Sequence, residues 1–155
     1  MRFGAALAAT LVLVGAIASA QQHIILDIEA DFASFKTFSI EQGRAKTKRP
    51  EIDNDLIFRK VEDAIRKALV AKGLRESATQ SDLTIGFVLG EDRPNGPSVI
   101  FNRGTLVIDL TARDGDRMVW QGVYTDTTNN PAKVAERLPG YVEKLLSAYP
   151  PKKKK

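Results

Sequence analysis

Apolar and polar positions in this chain change period from two to nearly four and back, and those changes divide it into strands and helices. Over residues 23–30, Ile24, Leu26, Ile28 and Ala30 fall on alternate positions, with Asp27 and Glu29 between them, which predicts a strand with one buried face. Residues 31–34 read as a turn. A second short strand is expected over 36–41, with Phe38 and Ile40 inward. Residues 41–51 are charged and contain Gly43 and Pro50, the composition of an exposed loop. The period then lengthens. Ile57, Val61, Ala64, Ile65, Ala68 and Leu69 form one stripe of a helix, with Asp53 as its expected N-cap. Glu62 with Arg66 and Asp63 with Lys67 are i,i+4 pairs on its wet side. Gly73 ends the helix in the left-handed conformation, so that Leu74 folds back toward Leu69.

Period two returns with Leu83, Ile85, Phe87 and Leu89. Residues 91–98, with Pro94, Asn95-Gly96 and Pro97, make a turn-rich connection. The next strand runs from about 99 to 112, with Leu106, Ile108 and Leu110 facing one way and Thr105, Val107 and Asp109 the other. Asp114-Gly115 favours a tight hairpin turn into a strand over 117–125, which is apolar on both faces. A last helix starts with Asn130 as cap and Pro131 at its first position, burying Val134, Leu138, Tyr141, Val142, Leu145 and Leu146. Pro139-Gly140 predicts a break or kink in it, because an interior proline costs ~3 kcal/mol. The order β-β-α-β-β-β-α predicts an α+β two-layer sandwich. A mainly antiparallel sheet of about five strands would carry two helices on one face.

The chain ends change the picture. Met1-Arg2, an apolar run to Ile17 and Ala18-Ser19-Ala20 form a signal peptide over 1–20, with Gln21 as the expected mature start. The run is too short and alanine-rich for a membrane span of ~20 strongly apolar residues. Residues 21–151 then make a single domain, followed by a disordered lysine tail over 152–155. The chain has no cysteine, so disulfides, cysteine-type zinc sites and a lipid-bearing cysteine are excluded. Arg2 and the four terminal lysines account for five of the 23 basic residues, leaving 18 against 19 acidic. A body so nearly neutral does not read as a nucleic-acid surface.

Asp31-Phe32-Ala33-Ser34-Phe35-Lys36-Thr37-Phe38 resembles the opening of the domain-of-unknown-function 4136 family, small bacterial envelope proteins of which many are lipoproteins. Residues 64–66 and Lys72-Gly73-Leu74 are similar to its first helix and that helix's ending, and Ser81-Asp82-Leu83 to its next strand entry. Gly104-Thr105-Leu106-Val107-Ile108-Asp109-Leu110 followed by Met118-Val119-Trp120-Gln121-Gly122 resembles its most recognisable stretch, and Tyr149-Pro150-Pro151 its ending. The chain departs from the family in lacking the lipid-bearing cysteine and in carrying Pro139-Gly140. The resemblance implies an envelope location and no established activity.

Candidate chemistry is sparse. Asp27, Glu29 and Asp31 read either as a cation site or as a solvated strand face. His23 has no visible partner for base catalysis. No Gly-x-Ser-x-Gly elbow exposes a nucleophile, and Gly86 and Gly90 form no phosphate loop. Asp109 and Trp120 would lie side by side on the hairpin centred at Asp114-Gly115, as a ligand-pocket pair or with Trp120 as a packing anchor. Lys152, Lys153, Lys154 and Lys155 are either a tether to an anionic surface or a solubilising end. The expectation is a periplasmic or secreted, non-enzymatic, partner-binding domain without cofactors, its partner an envelope protein or glycan. The rivals are a binder of a lipid or small apolar ligand between sheet and helices, and a hydrolase whose site forms only on folding.

Overall fold

The computed structural model describes residues 21–47, 49–90, 105–128 and 130–152. The expected signal peptide, the 91–98 connection, the start of the strand expected from 99 and Lys153 to Lys155 lie outside them. The elements are β1 (Gln21–Leu26), β2 (Thr37–Ile40), β3 (Arg44–Ala45), α1 (Asp55–Ala71), β4 (Arg75–Glu76), β5 (Leu83–Leu89), β6 (Thr105–Ala112), β7 (Arg117–Thr125) and α2 (Pro131–Leu146). They form an α+β fold with one seven-stranded sheet in the order β1-β7-β6-β5-β2-β4, β3 pairing with the far end of β5. The β1-β7-β6-β5 pairings are antiparallel. The sheet has more strands than the five expected, because β3 and β4 are too short to show a period. β2 and β3 join β5 in parallel, and β4 joins β2 in parallel.

The periodicities place the core. On α1, Ile57, Val61, Ile65 and Leu69 are buried against Phe38, Leu83, Ile85, Phe87 and Leu89. On α2, Val134, Leu138, Tyr141, Val142, Leu145 and Leu146 are buried beside α1 in the same cluster. Gly73 takes φ +89°, and the N–H groups of Gly73 and Leu74 close onto Val70 and Leu69 carbonyls, a Schellman ending that buries Leu74. Asn130 caps α2 by accepting from the Lys133 N–H at 3.2 Å.

Five local expectations are corrected. β1 stops at Leu26 because Asp27 makes its own turn. Its Oδ1 accepts from Glu29 N–H at 2.9 Å and its carbonyl from Ala30 N–H, so Ile28 is thrown into solvent. The α1 cap is Asn54 rather than Asp53; Asn54 accepts from Ile57 N–H while its amide donates to the Pro50 carbonyl. Within 41–51 lies β3, and Gly43 is buried because the Phe87 ring packs where a side chain would be. Asp114–Asp116 is a 3-10 turn rather than a two-residue hairpin. α2 runs unbroken through Pro139, since buried side chains on both sides of it outweigh one lost backbone bond. On the wet side of α1, Arg66 pairs with Asp63 and, across to β4, with Glu76, both at 2.6 Å.

Candidate functional site

Among the described residues, β1 is a terminal strand of the sheet. Its sequence, Gln-Gln-His-Ile-Ile-Leu, contains neither proline nor Lys, Arg, Asp or Glu, the residues that usually blunt a strand edge. Asp27 N–H donates to the Val119 carbonyl at 2.9 Å. Bonded pairs alternate in an antiparallel ladder, so Ile25, His23 and Gln21 also turn their amides to β7. Gln22, Ile24 and Leu26 therefore present N–H and C=O at the outer edge. Ile25, Leu26 and Ile28 are 43%, 36% and 88% exposed, and Met118 of β7 is exposed nearby. The one acid at the end of this edge, Asp27, is held by Arg117 at 3.1 Å. The opposite edge is β4, two exposed charged residues with Glu76 tied to Arg66.

Asp109 and Trp120 are not brought together. Near the turn the register is the one a centre at Asp114-Gly115 demands, with Ala112 opposite Arg117 and Thr111 opposite Met118. A bulge then inserts Val119, so Asp109 faces Gln121 and Trp120 faces Leu110. A one-residue slip reverses facing. Trp120 enters the core, edge-on to Tyr149 at 6.1 Å, with its indole N–H buried and without a partner among the described residues. Asp109 lies on the opposite sheet face, accepting from Gln121 Nε2 at 2.7 Å. The buried pair Val88 and Val107 shares that face.

Two polar clusters were not among the candidate site residues, and the second of them lies in the family-like Ser81-Asp82-Leu83 stretch. Asp126, buried just after β7, accepts from the Tyr141 hydroxyl, from Arg137 at 3.3 Å and from Thr128 N–H at 3.1 Å. Burial alone would raise its carboxyl, but these donors outweigh burial and leave it below the usual range. The Tyr141 hydroxyl is raised by burial and by that acceptor. Tyr141 stacks on Tyr124 at 4.4 Å, and Lys144 reaches the Tyr124 hydroxyl at 3.2 Å. These contacts fasten α2 to the end of β7.

Asp82, where β5 begins, accepts from Lys36 N–H at 2.8 Å and Thr37 N–H at 2.9 Å, which lower its carboxyl. It belongs to an open cleft of about 680 Å³ with Ser34, Phe35, Gln80, Ser81, Arg113 and Asp114. The first two residues of the family-like Ser81-Asp82-Leu83 stretch therefore line a surface depression.

His23 is exposed on β1, and Glu29 and Asp31 are exposed in the turns after it. Among the described residues, no group of three His, Cys, Asp or Glu is placed to hold a metal ion. Lys152 is exposed. No described helix is long and apolar enough to cross a membrane.

The sequence has no match among curated proteins. Its fold is similar to that in the crystal structure of a PDZ domain protein from Parabacteroides distasonis, with TM-score 0.62 and 15% identity over 87% of this chain. The match spans 37% of that longer protein. It is also similar to the PelC dodecamer from Paraburkholderia phytofirmans, with TM-score 0.54 and 13% identity, covering 83% of this chain and 96% of that one. At such identities the likeness is one of fold alone. A family model, by contrast, matches residues 25–151, from near the end of β1 to just past the last core residue, and the chain belongs to the Domain of unknown function family DUF4136.

Proposed function

We propose that the protein is an exported, non-enzymatic domain of the bacterial cell envelope that works by binding a protein partner along β1. The observation that carries this reading is the uncharged outer edge of Gln22, Ile24 and Leu26, flanked by exposed Ile25 and Ile28. An open edge offers backbone bonds for affinity and alternate side chains for specificity. The signal-like residues 1–20 support export, with cleavage after Ala20.

The test places a photo-crosslinking residue at Ile25, and separately at exposed Val70 on α1, in cells making the full-length precursor. The expected result is discrete adducts in the envelope fraction from position 25 and none from 70, on a chain beginning at Gln21. Adducts equal at both positions, or a product retaining Met1 in the cytoplasm, would sink the reading. The alternative, a small ligand between sheet and helices, has one observation in its favour, the Trp120 indole N–H in that layer, which has no partner among the described residues. Native mass spectrometry showing bound mass on the purified protein would favour it.

A further inference from the structure

We propose that Gln21, once freed by cleavage after Ala20, is a self-modifying terminus that closes to pyroglutamate. The inference rests on the export reading above, which sets Gln21 at the mature end.

The chemistry is contained in one residue. The α-nitrogen, Cα, Cβ, Cγ and Cδ of an N-terminal glutamine make a five-membered lactam. The amine lone pair attacks Cδ, the N–Cδ bond forms and the Cδ–Nε2 bond breaks. Nε2 leaves as ammonia, taking one proton from the amine, so no oxidant, reductant or further reactant is needed. An α-amino group ordinarily titrates at about 7.7–8.0, so at neutral pH roughly a tenth of it carries the free lone pair. Carrying both groups on one residue supplies the orientation that a bimolecular aminolysis lacks.

The structure leaves this reaction room. Gln21 is the first residue of β1 and is exposed. Its side-chain amide makes no hydrogen bond among the described residues, so nothing there holds it away from the amine. Tyr124 of β7 points into the core, so Thr125 and Gln21 opposite it face away from the helices. Ring closure engages no atom on the carbonyl side of Cα, and the rest of β1 keeps its place in the ladder.

Charge gives the closure a consequence. β1 contains no Lys, Arg, Asp or Glu, and Asp27 beyond its far end is held by Arg117 at 3.1 Å. The α-ammonium released by cleavage is therefore the single fixed charge of the strand. A partner pairing beside it would have to strip that charge of water, which is costly. The lactam replaces the ammonium with a neutral N–H and C=O, so the edge is uncharged from end to end.

The test follows the mature terminus. The full-length precursor is exported, and the purified product is followed by intact mass and Edman sequencing during incubation at neutral pH. The expected product has the mass of residues 21–155 less one ammonia and gives no Edman sequence. Pyroglutamyl aminopeptidase should then open it to a sequence beginning at Gln22. Gln21→Asn keeps an amide at the terminus but offers only a strained four-membered ring, so it should retain its full mass and a readable sequence. Loss of ammonia from Gln21→Asn as well would place the reaction elsewhere in the chain and overturn the inference. A chain that begins at Gln21 and keeps its ammonia also overturns it, while the export reading stands. A chain that begins at any other residue overturns both the inference and the cleavage after Ala20.

Discussion

Gly122 is the sharpest point at which packing can be tested. A Cβ added there would lie 2.4 Å from Trp120 Cη2, 3.0 Å from its Cζ3 and 3.1 Å from Leu145 Cδ2. Carbon atoms in good contact are about 3.5 Å apart or more, so the indole must retreat by roughly 1 Å. It has nowhere to go, being fully buried with Tyr149 against it. Overpacking of this kind costs ~1–3 kcal/mol, and a close approach to a fixed ring belongs near the upper end. Restricting the unfolded chain returns ~0.4–1 kcal/mol. Gly122→Ala should therefore destabilise by ~2 kcal/mol, a fall of about 8 °C in Tm for a domain this size. Gly86, on the opposite face of β5, has nothing within 4 Å of the same added atom. Gly86→Ala should be neutral or stabilise by up to ~1 kcal/mol. Urea unfolding of both variants makes the comparison, and repeating Gly122→Ala in a Trp120→Phe background should abolish most of its cost. A Gly122→Ala variant as stable as Gly86→Ala, or a cost unchanged without the indole, would refute the packing account.

Ile65→Ala on α1 should lose ~2–5 kcal/mol by denaturant unfolding, because a fully buried side chain leaves a cavity between helix and sheet; a change of a few tenths would mean that the stripe faces solvent. Asp82 has a folded pKa below its ordinary value of 3.8, so its contribution to stability is present above that pH and is lost as pH falls through the lower folded value. Asp82→Asn should destabilise the protein at pH 7 by ~1–2 kcal/mol through weaker bonds to Lys36 and Thr37 N–H. Its stability deficit should narrow steadily below pH 4, and a constant deficit would contradict the assignment.

The chain by itself determined the elements whose burial is periodic and whose ends are local. α1 with its Gly73 ending, α2 with its Asn130 cap and the buried alternation of β5 were legible because each depends on side chains a few residues apart. The exposed edge at Ile25, Leu26 and Ile28 was not. The same alternation that predicts a buried strand over 23–30 is overruled by an Asp27 turn and by a terminal place in the sheet, which nothing local encodes. The parallel joining of β2 to β5 depends on the path through α1, and the Asp126 cluster on residues 11 and 15 positions apart in the chain. The fate of Asp109 and Trp120 turned on one inserted residue, Val119. Turn chemistry sets the register beside the turn correctly, but core packing beyond it decides where a strand bulges, and a shift of one position exchanges the faces of a sheet.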